Sequence, residues 1–375
     1  MSTSAESPPA GGRLTVDLSA LAANWKVLSG HVAGGGHATA AVVKGDGYGT
    51  GLEQAGRTLA ADGCTTFFVA LPEEGVRLRA VLPGAIIYVL DGLVGRAETY
   101  GRADIRPVLG SWPEIEAWAA FRAAGGATGA AIHVDTGMNR LGLTLHEALD
   151  LRRNARLLAS LAPDLVISHL ACADTPDHPM NRRQLALFGE VRAQFPHLPA
   201  SLANSAGVFL GPEYHFDLVR PGIALYGGVA VQGVTNPMRP VVTLEARVLA
   251  VREAEEGETV GYGASQTLKE TTRLAILAIG YADGYHRLAG GADERPGAWV
   301  WIRGQRAPLV GRVSMDLIAV DVTRIPGVVR GDWVELFGRH IPVDEVARHA
   351  GTVGYELLTG LGRRLERVHV GASAA

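Results

Sequence analysis

Lysine is scarce in this chain, and one of the few lysines closes an apolar run. Of 35 basic side chains among 375 residues, only Lys26, Lys44 and Lys269 are lysines. Lys44 ends the run Thr-Ala-Ala-Val-Val-Lys. An ammonium there is unfavourable unless its charge is paired or its pKa is lowered. A lowered pKa makes a nucleophilic amine that can hold an aldehyde as an imine, which arginine cannot do. Other reactive side chains also follow short apolar runs. His133 leads through Val-Asp-Thr-Gly-Met-Asn to Arg140, while His169, Asn204-Ser205 and Arg220-Pro-Gly222-Ile223 close later runs. Their shared placement carries more weight than any single residue. The glycines after Lys44 spell G-x-G-x-G-x-G, which matches neither nucleotide-binding fingerprint. Ala203-Asn-Ser205-Ala-Gly207 lies one residue from a serine-hydrolase nucleophile elbow, but no His and acid follow in the expected order. A small hydroxyl beside glycine-rich backbone is better suited to holding a phosphate. Asp174, Asp177 and His178 lack recognised ligand spacing and read as a solvated loop, so no metal is expected.

The elements that must position these groups follow a regular alternation. Eight short apolar runs (39–44, 65–70, 85–90, 105–109, 130–135, 165–170, 200–204 and 219–227) read as strands buried on both faces. Helix patterns intervene, among them 114–124 and 145–161, with arginines on the polar face. Asp17 and Ser19 are candidate caps for a helix beginning near residue 20. Eight β-then-α units predict a (β/α)8 TIM-type barrel with its reactive groups at the carboxyl ends of the strands. A doubly wound sheet uses the same elements, and counting alone leaves both open. Beyond Asn236-Pro237 the texture changes to strands separated by Gly, Pro and Asp turns, with one helix pattern at 343–350. The expected division is a loose leader over 1–12, a barrel over 13–235 and a mainly β domain over 236–375.

The formal charge of −3 carries no clustered basic excess of the kind nucleic-acid binders need. No apolar stretch reaches the length of a membrane span. Two cysteines, Cys64 and Cys172, and an opening without a hydrophobic core point to a reducing compartment, most simply the cytoplasm.

The segments around these residues resemble the alanine racemase family. The similarity runs through Val-Val-Lys44-Gly-Asp-Gly-Tyr48, His133 to Arg140, Ser168-His169, Ala203-Asn-Ser205, Arg220-Pro-Gly222-Ile223, Val260-Gly-Tyr262-Gly, Gly280-Tyr281-Ala-Asp-Gly284, Ser314-Met315-Asp316 and Gly354-Tyr355. These segments occur in family order over nearly the whole chain. The resemblance implies a pyridoxal 5'-phosphate enzyme, a barrel plus a C-terminal β domain, and a homodimer whose sites lie between subunits. It implies that Lys44 holds the cofactor and serves one face of the substrate, while Tyr262 from the partner serves the other. A phenol near pKa 10 and an amine near about 10.4 are matched in strength. His169 and Arg220 would form a chain behind Tyr262. Arg220 would also face the cofactor's ring nitrogen, where an arginine can only donate. Arg140 would meet the cofactor's phenolic oxygen and the substrate carboxylate. Tyr48, Ser205, Gly222, Ile223 and Tyr355 would hold the phosphate. Met315, with Asp316 nearby, would line a small substrate pocket suited to alanine first and serine second.

Three departures accompany the resemblance. His133 stands where many members have a carbamylated lysine that orients the equivalent of Arg140, so Asp135, Asn139, chloride or water is expected to substitute. Gly45 and Gly47 are expected to loosen the segment after Lys44. Leu317 stands where glutamine is frequent. Other readings are a serine or broad-specificity racemase, a non-catalytic pyridoxal-phosphate carrier built on a barrel alone, and a decarboxylase on a related barrel, which nothing in the second half supports.

Overall fold

A computed structural model describes residues 11–371. Residues 1–10, most of the expected leader, lie outside the described residues. Gly12, assigned by sequence to the leader, instead opens a strand, β1 (Gly12–Asp17). The chain forms two compact units, one of Ser19–Arg239 and one joining the described residues up to Leu18 to those from Pro240 onward. The sequence reading placed residues 13–18 with the barrel, and this is corrected. In β1, Leu14 and Val16 are fully buried and alternate with less buried Arg13 and Thr15. Such alternation suits a sheet with one covered face. β1 pairs antiparallel with β11 (Val242–Ala254) and parallel with β17 (Glu366–Val370), both in the β-rich unit.

In the first unit, the strands are β2 (Ala38–Thr39), β3 (Ala41–Val42), β4 (Thr66–Val69), β5 (Ile86–Val89), β6 (Arg106–Leu109), β7 (Ala130–His133), β8 (Pro163–Ile167), β9 (Ala200–Ser201) and β10 (Leu218–Val219). β3 to β9 form a parallel sheet in sequence order, and β10 pairs parallel with β2. Ala40 N–H to Val219 O (2.9 Å) and Val42 N–H to Pro221 O (3.0 Å) carry that pairing along β3. Asp217 N–H to Ala200 O (3.0 Å) and Arg220 N–H to Ala203 O (2.9 Å) join β10 to β9. The ring is therefore closed, and the open doubly wound alternative falls away. Phe67, Phe68, Ile87, Val89, Ala131, Ile132 and Val166 are buried, as both-face coverage requires.

Several strands stop earlier than their apolar runs. The run 219–227 yields strand only at β10, because Pro221 has no N–H for the ladder; Ile223–Tyr226 winds into a 3-10 turn. The pattern over 145–161 divides into helices Leu145–Arg153 and Ala155–Ser160. Asn154 breaks it, with its side-chain oxygen accepting Leu157 N–H as a new cap. The first helix begins at Leu18, which puts Asp17 at the cap position.

The second unit is an eight-stranded sheet of β1, β11, β17, β12 (Thr272–Leu277), β13 (Trp299–Ile302), β14 (Gln305–Val310), β15 (Ile318–Asp321) and β16 (Trp333–Phe337). β13 and β14 form a hairpin across Arg303-Gly304, both at positive φ (48° and 81°), which matches the twist of the flanking strands. The helix expected near 343–350 is Val343–His349, and a further short helix, Gly354–Thr359, carries Tyr355.

Candidate active site

Lys44 follows β3 by two residues, and His133 ends β7. His169 lies just beyond β8, Ser205 beyond β9, and Arg220 directly after β10. The parallel strands therefore deliver all five to one end of the barrel, the carboxyl end. Burial lowers the pKa of Lys44, and the Arg140 charge lowers it further, against opposing pulls from Asp91 and Glu74. These are the conditions for an amine that is nucleophilic nearer neutral pH.

The segment after Lys44 is wound rather than loose. Gly45, Asp46, Gly47, Tyr48 and Gly49 all have positive φ, between 53° and 80°, forming a left-handed turn. Gly47 N–H bonds Val43 O (2.9 Å) and Gly49 N–H bonds Gly45 O (2.8 Å). Only glycine adopts this conformation without a Cβ penalty, so the two glycines that read as slack are what the turn demands. Buried Glu74, unremarked in the sequence, anchors it: Oε1 accepts Asp46 N–H (3.0 Å), while Oε2 accepts Ala70 N–H (3.0 Å) and Leu71 N–H (3.3 Å).

Arg220 is buried and faces only neutral acceptors. Nη1 donates to Ser201 Oγ (2.5 Å), and Nη2 donates to Ser168 O (2.6 Å) and to His169 Nδ1 (3.4 Å). Its guanidinium lies 5.8 Å from the Phe68 ring centroid. Burial without a carboxylate partner pulls its pKa down to about 10, so it stays cationic at neutral pH. Burial, the Arg220 charge and then the Arg140 charge hold the His169 imidazole neutral, its pKa well below the usual histidine range. Since arginine can only donate, His169 Nδ1 accepts, and its proton sits on Nε2. His133 is likewise kept neutral, pushed down to about 4 by burial and by Arg220.

Ser205 Oγ accepts Gly222 N–H (2.8 Å) and Ala224 N–H (3.3 Å), which leaves the serine proton free to donate outward. The Gly222 amide, which the resemblance assigns to holding the phosphate, donates to Ser205 Oγ in this structure. Ile223 opens the 3-10 turn, so its N–H has no partner within that turn. Tyr48 is buried and stacks on Tyr226 with ring centroids 4.5 Å apart. Its hydroxyl lies where a Cβ on Gly222 would come within 2.2 Å, so only glycine fits there. The Ser205 hydroxyl, the Ile223 amide and the Tyr48 hydroxyl thus gather around Gly222.

Arg140 is exposed at the end of the loop after β7. Asp135 does not hold it. The Asp135 carboxylate accepts the N–H groups of Gly137, Met138 and Asn139, each at 2.9 Å, and orders the loop instead. Asp174 accepts from Gln232 Nε2 (2.6 Å), and His178 Nδ1 accepts Met180 N–H (3.2 Å) at a helix start.

Tyr262, Met315, Asp316 and Tyr355 belong to the β-rich unit. Tyr262 is 71% exposed and sits between Gly261 (φ 77°) and Gly263 (φ 76°). Met315 and Tyr355 are also exposed. Asp316 pairs with Arg364 (2.8 Å), which also binds buried Asp283 (2.9 Å). Backbone bonds from Tyr281 N–H to Ser314 O (3.1 Å) and from Ala282 N–H to Met315 O (3.0 Å) tie the Tyr281 and Met315 segments together. Ser201, Gln184 and Glu74 were missed by the sequence reading, and Ser168 and Thr136 were quoted in the resemblance without a role. All are buried polar residues, and only their contacts distinguish them from ordinary surface-type residues.

Family models for the N-terminal and C-terminal domains of alanine racemase match residues 16–230 and 241–369. The biosynthetic alanine racemase of Agrobacterium fabrum is 52% identical over 367 residues, covering 96% of this chain and 93% of that protein. An alanine racemase of Rhizobium meliloti is 50% identical over 373 residues, covering 97% and 98%. Among solved structures, alanine racemase from Bartonella henselae with covalently bound pyridoxal phosphate is similar with a TM-score of 0.90. It is 40% identical and covers 96% of this chain and all of that one.

Proposed function

Because the chain belongs to the alanine racemase family, we propose that it interconverts L- and D-alanine with pyridoxal 5'-phosphate, using Lys44 on one face and Tyr262 of a second subunit on the other. The observation that carries this reading is the barrel end itself: one strand end brings a lysine of lowered pKa and another a buried arginine with only neutral partners. The residues present fit the cofactor. The cradle of Ser205 Oγ, Ile223 N–H and Tyr48 Oη suits a phosphate, and the Gly222 backbone has no room for a Cβ beside it. When bound, the cofactor supplies an electron sink for the pair left behind when the α-proton departs.

The chain's own groups do the rest. Lys44 would hold the cofactor through Nζ, and its free amine would take or return the α-proton on its face. Arg220 would face the cofactor's ring nitrogen, where an arginine can only donate; that would keep the nitrogen unprotonated, limit the electron pull and disfavour transamination. Tyr262 needs its phenolate within reach. His169, with its proton on Nε2, donates to that oxygen, and the Arg220 charge behind it favours the anion. Arg140 holds the substrate carboxylate. Tyr355 joins the phosphate cradle, and Met315 with Asp316 narrows the pocket towards a small side chain. The neutral histidines leave Arg140 and Arg220 as the cations that attract the carboxylate and the phosphate. Among the described residues no helix is long and apolar enough to cross a membrane. Placement in the cytoplasm is part of this reading and is consistent with two free thiols.

The test is racemisation of L-alanine, with α-proton exchange in deuterium oxide, by wild type, Lys44→Ala and Tyr262→Phe. Wild type racemises, Lys44→Ala does not, and Tyr262→Phe loses exchange from one enantiomer far more than from the other. Equal exchange from both enantiomers in Tyr262→Phe refutes the two-base scheme. Absence of exchange in loaded wild type supports the carrier reading, and a faster rate on serine supports the serine racemase.

A further inference from the structure

We infer that Gln184 is a positioning residue for the His169–Arg220 pair, fixing through the backbone the imidazole that the proposed function sets behind Tyr262. The inference rests on that proposed function for its catalytic consequence, and on geometry alone for its structural one.

Gln184 is on helix Pro179–Gln194, outside the strand ends that carry the reactive groups, and is completely buried. Its carboxamide makes three hydrogen bonds. Oε1 accepts Ala171 N–H (2.8 Å), and Nε2 donates to His169 O (2.8 Å) and to Thr136 Oγ1 (3.2 Å). The last backbone bond before this segment is Ser168 N–H to Ser201 O (3.1 Å), after which the ladder stops. The side-chain amide thus pairs with His169 and Ala171 as a neighbouring strand would, at the place where strand pairing has run out.

The consequence reaches Arg220 by a short route. One guanidinium nitrogen bonds both Ser168 O and His169 Nδ1. The orientation of two successive residues therefore sets where that nitrogen sits. Gln184 holds the carbonyl on the far side of the same residue. Thr136, joined to Ser168 Oγ at 2.7 Å, extends the tie to the loop that ends in Arg140. Without the carboxamide, His169 O and Ala171 N–H lose their only partners on the side packed against the buried Gln184, and the segment turns to satisfy them. The imidazole then loses its aim at the phenol of Tyr262. A helix glutamine buried against a loop usually serves packing, but packing alone requires neither both donors nor the acceptor to be used.

The test uses the full-length holoenzyme with Gln184→Met, which keeps length but no hydrogen bond, and Gln184→Glu, which keeps the acceptor for Ala171 and loses the donors. Three readouts are needed: cofactor loading by borohydride labelling of Lys44, the pH profile of kcat, and the nitrogen chemical shifts of His169. Loading stays near one label per chain, because Lys44 and the phosphate cradle are untouched. In both variants kcat falls by about 10- to 100-fold with KM for alanine within about threefold, the range expected for misaimed acid–base groups. The acid limb of kcat moves to higher pH, since a phenolate that loses its donor is harder to form. A packing role alone lowers stability and leaves that limb in place. If both variants load fully and show wild-type kcat, acid limb and His169 shifts, the inference is overturned. If Gln184→Met fails to fold, Gln184→Glu decides by the same criteria. Inactive wild type with His169 shifts that still move in the variants refutes the proposed racemase chemistry and leaves the positioning role standing.

Discussion

At the scale of single residues, the site depends on charges that have been removed as much as on those retained. His133 stands where the resemblance leads one to expect a lysine, and burial with Arg220 nearby pushes its pKa down to about 4. The unfolded chain, with histidine near about 6.5, takes up the proton first as pH falls. Its contribution to stability is therefore fully present above about pH 6.5, declines as pH falls, and is lost below about 4. The size is roughly 3 kcal/mol for one buried histidine over that window. Denaturant midpoints of cofactor-free protein between pH 7 and 4.5 should fall with acid in wild type, and the fall should be shallower in His133→Asn. Parallel profiles for the two proteins would show that His133 is not held neutral. The same neutrality means that His133 cannot supply the negative charge that a carbamate would bring to Arg140. Among the described residues Asp135 forms no ion pair with Arg140, so neither of these side chains anchors that arginine.

Local elements set the reactive groups with little tolerance. The left-handed turn after Lys44 relies on Gly47 at φ 65°, where a Cβ would also meet Thr50 Oγ1 at 3.1 Å. Gly47→Ala should lower unfolding free energy by about 1–2 kcal/mol, the penalty for a Cβ in this conformation. It should also reduce cofactor loading, because the turn begins at Lys44. Thermal unfolding and the visible absorbance of the bound cofactor measure the two effects, and full loading with unchanged stability would contradict the role of the turn. The same turn also reaches Gly222 through Tyr48. Gly222→Ala places its Cβ 2.2 Å from the Tyr48 hydroxyl, and that ring is held by stacking on Tyr226. Cofactor affinity should fall about tenfold or more, equivalent to about 1.4 kcal/mol, with the barrel still folded. Affinity equal to wild type by absorbance titration would mean that Tyr48 and Gly222 do not share a phosphate cradle.

At the scale of the whole molecule, the residues proposed to meet a partner are exposed. Tyr262, Tyr281, Met315, Leu317 and Tyr355 of the β-rich unit are between 42% and 71% exposed. Large exposed apolar groups in one unit are the composition of a recognition surface. The proposed homodimer places Tyr262 in the partner's site, and subunit mixing tests this directly. Lys44→Ala and Tyr262→Phe proteins, each inactive as racemases, are unfolded together and refolded. Half of the dimers then pair one chain of each kind, and one of their two sites combines an intact Lys44 with an intact Tyr262. Activity should return to about a quarter of wild type under random pairing. If Tyr262 serves its own chain, mixing restores nothing.

The order of apolar runs, several of them leading into a reactive side chain, was legible without coordinates, because β-strand period and burial on both faces are local properties of the sequence. The same locality exposed Lys44, since a strand-end lysine in a chain almost without lysine is conspicuous by type. Locality also explains the errors. The glycines around Asp46 read as slack, but a left-handed turn and a loose loop have the same composition, and only the bonds to Val43, Gly45 and Glu74 tell them apart. The segment 13–18 was assigned by its neighbours in sequence, whereas its hydrogen bonds go to strands more than two hundred residues away. Ser201, Gln184 and Glu74 carried no signal, since a polar residue shows its function only once it is buried with its partners. By itself, then, the sequence determined which groups could react and that a barrel could gather them. The tertiary structure decided the protonation of His169, the neutral surroundings of Arg220 and the shape of the proposed phosphate cradle, because burial and hydrogen-bond partners come from residues far apart in the chain.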